Sequence, residues 1–378
     1  MLPPLPLYRL ENADSLLTPA LLIYPELVEA NIGATVRMAG NDPNRWRPHI
    51  KTAKIPAIVE LMIARGIHQF KCSTTLELLI ACRSGAEDVL LAFPVMGPNA
   101  ARVKEIAADY PDTSVSVLVE DAEQASIWKD SHIGSFIDVN SGMNRTGVEL
   151  DRQAEIMKLA RDLGEQFRGV HFYDGHMSGI SPDEREPRAH QGYDQLIRLI
   201  QTLEVGGVHV PEVITSGTPA APYAISYPGF RDAGFIHRIS PGTVVFNDMT
   251  SLEQLPGWGY QPAAVVLATI VSHPKSGIIT CDAGHKSVSA DAGVPTCSVL
   301  GHSDWVPMKP SEEHLPIEAP DNQVPQLGDK LYLVPRHVCP TVNNFDEAVF
   351  VVRGRIQRAE PVGARGHESA LKMATVSA

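Results

Sequence analysis

Short apolar runs alternate with longer amphipathic ones through the first two-thirds of the chain. Ala20-Leu21-Leu22-Ile23-Tyr24 reads as a strand, followed by a helix through about Met38. The same alternation predicts strands at 46–50, 68–72, 89–93, 115–119, 136–139 and 169–173. It predicts helices at 55–64, 75–83, 99–108, 122–128, 152–163 and 184–203, with last short strands at 213–215 and 236–239. Apolar strands joined to helices by short connections imply a parallel sheet. Eight or nine such units in about 250 residues favour a closed (β/α)8 TIM barrel over an open doubly wound sheet. No Gly-x-Gly-x-x-Gly follows the first strand, which counts against a dinucleotide fold.

From about Pro262 the texture changes. β-Branched runs at 265–272, 277–281, 330–335 and 348–352 are separated by Pro- and Gly-rich turns, with no convincing helix between them. This predicts a barrel over 15–255 and a smaller all-β domain over 256–378, to which residues 1–14 could add a strand. The polar Asn322-Gln323 stretch reads as a solvated loop.

Composition narrows the function. The 378-residue chain carries a formal net charge of −12 and no basic cluster, which disfavours nucleic acid and anionic membrane as partners. Met1-Leu2-Pro3-Pro4-Leu5-Pro6 lacks the basic start and apolar core of a signal peptide. No apolar run reaches the roughly 20 residues that span a bilayer. The five cysteines, at 72, 82, 281, 297 and 339, are odd in number and scattered. They are expected to be reduced thiols in a cytoplasmic protein.

The candidate chemistry sits at strand ends. Arg47-Pro48-His49-Ile50-Lys51-Thr52 places Lys51 at the C-terminal end of a short strand, the end that carries chemistry in such barrels. A lysine shielded from water there can act as a nucleophile and form a Schiff base. Ser216-Gly217-Thr218-Pro219 and Ser240-Pro241-Gly242-Thr243 follow the last two strands. Their hydroxyls and backbone N–H groups could share one phosphate. Asn140 to Gly147 places Arg145 in a glycine-containing loop, and Phe172-Tyr173-Asp174-Gly175-His176 offers an aromatic face and a proton carrier. In the β-domain, His337-Val338-Cys339 would present an imidazole and a thiol on one side of a strand, a half-site suited to Zn²⁺. Asp282 and Glu313-His314 could support it or be turn and surface residues.

Together these motifs resemble the D-threonine aldolase and D-serine dehydratase family of pyridoxal phosphate enzymes, with its alanine-racemase-like fold. The resemblance runs in order along nearly the whole chain. It implies a cofactor Schiff base on Lys51, with His49 in the same motif. It implies Arg145 and Tyr173 near the cofactor ring, and the phosphate on Ser216, Gly217 and Thr218, with Pro241, Gly242 and Thr243 beside them. It implies a divalent metal, Zn²⁺ before Mn²⁺ or Mg²⁺, on His337 and Cys339. The family's typical aldolases resemble His-x-Asp-Pro-Thr at the metal, whereas this chain has Cys339, the dehydratase-like form. The usual aldolase histidine near position 179 is also missing, which leaves His176 as the substitute base. The resemblance therefore implies a lyase for β-hydroxy-D-amino acids, aldolase or dehydratase, working as a homodimer. An amino-acid racemase and a non-catalytic pyridoxal-phosphate-binding protein are the alternatives of other classes.

Overall fold

Seven parallel strands run in the spatial order Gln69–Cys72, Asp88–Leu91, Ser114–Val119, Gly134–Asn140, Phe167–Phe172, Glu212–Thr215 and Ile236–Ile239 in a computed structural model that describes residues 3–320 and 325–370. Segment 46–50 closes the ring. Arg47 N–H donates to the Ile239 carbonyl at 2.8 Å, and Ile50 N–H to the Lys71 carbonyl at 2.8 Å. Lys71 N–H returns a bond to the Pro48 carbonyl at 2.9 Å. This eighth stave is an irregular strand because Pro48 has no N–H to give the ladder. It pairs only through the bridges Trp46–Ile239 and His49–Lys71. The amphipathic runs form the surrounding helices. Gln153–Leu163, for example, buries Ile156, Leu159, Ala160 and Leu163 at helical spacing.

Strand Ala20–Ile23 forms, but not in the barrel. It pairs antiparallel with Ala264–Lys275 and parallel with Glu347–Val352, in the second sheet. Leu21, Leu22 and Ile23 are all buried, as they would be in a barrel stave, so an apolar run cannot distinguish the two sheets. Before Thr18 there are two 3₁₀ turns, Leu5–Leu7 and Ala13–Ser15, and no strand among the described residues.

Among the described residues the second sheet has nine strands and a core of its own, which includes Val266, Ile270, Leu315, Ile317, Leu331 and Leu333. The four strands expected after Pro262 are present, and the Asn322-Gln323 stretch lies outside the described residues. One expectation is corrected. His337 and Cys339 are not in a strand, because Lys330–Pro335 ends at its proline and the chain turns into a short helix, Val338–Asn343. Pro340 fits that helix because its first-turn N–H groups have no intrahelical partner. All five cysteines are free thiols, and no described helix is long and apolar enough to cross a membrane.

The barrel interior is layered. At one end Arg47, with no exposed surface, forks onto Asp88 at 2.8 and 3.0 Å and Glu212 at 3.1 and 3.2 Å. Leu90, Leu118, Phe136 and Ile214 form an apolar cluster, and the Arg47 guanidinium lies 6.0 Å from the Phe136 ring. Lys71, Asp138, His171 and Ser240 form a linked polar group below Lys51. Lys71 and His171 of this group line a cavity together with Lys51, so this end carries the site.

Candidate active site

Lys51, Arg145, Tyr173, Gly217, Thr218, Gly242, Thr243, His337 and Cys339 all line one cavity of about 340 Å³. His49 lines it too, and so ten of the thirteen residues to which the family resemblance gives a role meet there. Pro241, Ser216 and His176 do not line it. Pro241 is the turn that carries Gly242, and its carbonyl accepts the Trp46 indole N–H at 2.8 Å. Ser216 is fully buried beside the cavity, with φ +57° and no hydrogen-bond partner on Oγ. A hydroxyl left unpaired in a strained backbone position is unusual away from a ligand. His176 sits in the 3₁₀ turn Gly175–Gly179, where its ring faces Gly142 of the neighbouring loop. Its neighbours Gly175 and Ser178 in that turn line the cavity, so His176 stands at the cavity's edge.

Two glycines allow the site's loops to close. A Cβ on Gly242 would lie 2.3 Å from the His49 carbonyl oxygen, and one on Gly217 would lie 3.0 Å from the Tyr173 hydroxyl. The 241–243 turn therefore packs directly against the stave that bears Lys51, and the 216–218 turn against Tyr173. Asp174, fully buried, accepts from Gly217 N–H at 3.2 Å and from the Tyr193 hydroxyl at 2.7 Å. Burial pushes its carboxyl up to about 6, partly offset by those two bonds. Asp174 thus ties the Tyr173 strand end to the turn at 216–218.

His49 Nδ1 accepts from the Lys51 backbone N–H at 3.1 Å, which puts the ring proton of the neutral imidazole on Nε2. Burial, then the charges of Lys51 and Lys71, hold His49 well below its ordinary value. The Arg145 guanidinium lies 5.0 Å from the Tyr173 ring centroid. The other lysine of the motif, Lys54, is occupied elsewhere by a buried ion pair with Glu77 at 3.0 Å.

The β-domain reaches into the same cavity. The Thr52 hydroxyl, next to Lys51 in sequence, lies 3.0 Å from Cys339 Sγ, and the Thr243 hydroxyl lies 3.6 Å from it. His337 and Cys339 line the cavity together, and His337 Nδ1 meets Asp291 Oδ2 at 2.6 Å. Burial alone would raise the Cys339 thiol, but His337 and then Lys51 outweigh it and the net shift is downward. Burial would lower His337, yet Cys339 and Asp291 bring it up to about 9. Asp248 positions this corner. It caps helix Met249–Gln254 through Ser251 N–H at 2.8 Å and accepts Val338 N–H at 2.9 Å.

No group of three or more His, Cys, Asp or Glu side chains among the described residues could hold a metal. His337 and Cys339 nevertheless suit a borderline-soft cation, with other positions open to water or substrate. The Asp291 contact is the kind of outer carboxylate that orients a ligating histidine. Sequence reasoning missed Asp291, Asp248 and Lys71, and Asp282 instead accepts from the Thr18 hydroxyl and the Thr269 N–H within the second sheet.

Comparison with known proteins agrees with this geometry. The family model described as the alanine racemase N-terminal domain matches residues 23–247. The one described as a putative serine dehydratase domain matches residues 263–351. A D-threonine aldolase of an Arthrobacter species is 28% identical over 361 residues, covering 92% of this chain and 93% of that protein. A 3-hydroxy-D-aspartate aldolase of Paracoccus denitrificans is 28% identical over 368 residues, covering 92% of each. The crystal structure of a D-threonine aldolase from Filomicrobium marinum superposes with a TM-score of 0.82 at 28% identity. That match covers 93% of this chain and 96% of the other.

Proposed function

The chain belongs to the alanine racemase N-terminal domain family, and from that premise we propose that it is a lyase that cleaves β-hydroxy-D-amino acids to glycine and an aldehyde, using pyridoxal phosphate and a divalent metal. The observation that carries this reading is the Thr52–Cys339 contact, which puts the Lys51 motif and the His337/Cys339 pair in one cavity. The aldolase relatives, aligned over nine-tenths of the chain, support it.

The residues present fit both groups. The orphaned Ser216 hydroxyl, with Gly242 at a position that excludes a Cβ and Gly217 at one that leaves little room for it, suits a phosphate. Lys51 would hold the cofactor covalently, with Arg145 and Tyr173 beside its ring. His337 and Cys339 would hold the metal, with Zn²⁺ the best match to a nitrogen and a sulfur donor. When bound, the cofactor supplies an electron sink at the α-carbon, and the metal supplies Lewis acidity at the β-hydroxyl.

The chain's own groups do the rest. Lys51 is the one amine lining this cavity among the described residues, so it is the group that returns a proton to the α-carbon. Arg145, exposed beside Tyr173, is placed to hold an anionic group of the substrate or cofactor. Thr52 and Thr243 fix the Cys339 sulfur, and Asp291 fixes the His337 ring.

Cys339 supports a second reading. It stands where the family's typical aldolases carry an aspartate, and it favours a dehydratase that expels the β-hydroxyl and leaves a 2-oxo acid with ammonia. Product analysis with D-threonine separates the two. Glycine and acetaldehyde in equal amounts are expected, with no reaction of L-threonine. Formation of 2-oxobutanoate and ammonia instead makes the dehydratase reading correct, and L-allo-threonine, inverted at the α-carbon alone, as the sole product makes the protein a racemase.

A further inference from the structure

A second lysine faces the same space. Lys71, on strand Gln69–Cys72, is 2% exposed. Its Nζ bonds to the Ser240 hydroxyl at 2.5 Å and to His171 Nε2 at 3.3 Å, and it lies 4.9 Å from the Tyr173 ring centroid. Among the described residues it has no carboxylate partner. The nearest acid in this network, Asp138, is occupied by His171 at 2.7 Å and by the Thr146 hydroxyl at 2.7 Å. Buried Lys54 shows the ordinary alternative, an ion pair with Glu77. A buried amine with no counter-ion is costly unless it stays neutral or meets an anion that arrives later.

The surroundings point to the anion. Lys71 lines a cavity of about 210 Å³ together with Lys51, Arg145, His49, His171 and Tyr173, and no Asp or Glu is in that lining. Lys51, Arg145, His49 and Tyr173 also line the larger cavity that holds the 217–218 and 242–243 turns, so the two spaces adjoin. Three basic side chains around a space without acids leave a net positive field there. Burial and then Lys51 hold the Lys71 amine well below its ordinary value, which is the state a bound anion would reverse.

We propose that Lys71 is a ligand-binding residue that carries no covalent cofactor but donates to an anionic oxygen in the cavity. That oxygen is either the ring oxygen of pyridoxal phosphate or the carboxylate of the bound amino acid. Ser240 and His171 hold the amine in place, and Asp138 with Thr146 holds His171. This inference rests on the cofactor reading above.

The test titrates wild type, Lys71→Met and Lys71→Arg with pyridoxal phosphate, followed by absorbance. It then titrates each loaded protein with D-alanine, which has no β-hydroxyl to react. In Lys71→Met one of the two dissociation constants is expected to rise at least tenfold, and Lys71→Arg is expected to recover most of the loss. A rise for the cofactor alone places the oxygen on its ring, and a rise for D-alanine alone places it on the carboxylate. Smaller changes in both constants overturn the proposal. Lys71→Gln decides by the same criterion if Lys71→Met fails to fold. Borohydride reduction and peptide mapping of the wild type separate the two failures. No cofactor fixed at either lysine overturns the functional reading, and fixation at Lys71 overturns this inference.

Discussion

Lys51→Ala is expected to abolish covalent cofactor attachment and to lower turnover of D-threonine at least about 1,000-fold, within the range spanned by losing an essential proton carrier. The change removes both the attachment point and the one amine in the cavity that carries Lys51, His337 and Cys339. The 216–218 and 241–243 turns proposed to hold the phosphate are left intact. Gly242 still packs on the His49 backbone, and Gly217 is still held by Asp174. Cofactor should therefore bind reversibly while the absorbance of the lysine-bound form, at roughly 420 nm, is lost. Half-exposed Lys51 makes no buried ion pair, so thermal stability should stay close to wild type. A variant that keeps a borohydride-fixable cofactor would move the attachment elsewhere, and Lys71 would be the first place to look.

Cys339→Ala is expected to lose bound metal and to lower activity by several kcal/mol of transition-state stabilisation, about 100- to 1,000-fold. Cys339 is one of two protein donors in the proposed metal site, so its loss leaves His337 alone. Cofactor loading should persist, because none of the residues around the 216–218 turn depends on this thiol. The readout is metal content by elemental analysis beside cofactor content by absorbance. Loss of metal with cofactor retained is the expected split. Full metal content in the variant would remove Cys339 from the site.

The barrel was readable because its staves are buried on both faces and separated by regular helices. The same property concealed the place of Ala20–Ile23, whose fully apolar pattern serves either sheet. Lys51 was readable from its position at a stave's end. The His337/Cys339 pair could be singled out by residue type, but its geometry could not be read. Spacing of two suggests a strand, and only Pro335 followed by the Val338–Asn343 helix shows otherwise. Asp291 and Asp248 were not readable, since each reaches the 337–339 corner from 46 or 90 residues away. Lys71 left one signal. It is a charge within Gln69-Phe70-Lys71-Cys72, every residue of which is buried. Such a lysine must find partners across the barrel, and those partners come from two other strand regions, at His171 and Ser240.

The central claim is that one cavity joins a cofactor lysine from the barrel to a metal pair from the second sheet. Crystals loaded with pyridoxal phosphate and Zn²⁺, measured at the zinc absorption edge, test it directly. The account predicts one anomalous peak bound by His337 and Cys339, with continuous density from Lys51 Nζ to the cofactor in the same cavity. An anomalous peak away from His337 and Cys339, or cofactor density that ends at another lysine, would contradict it.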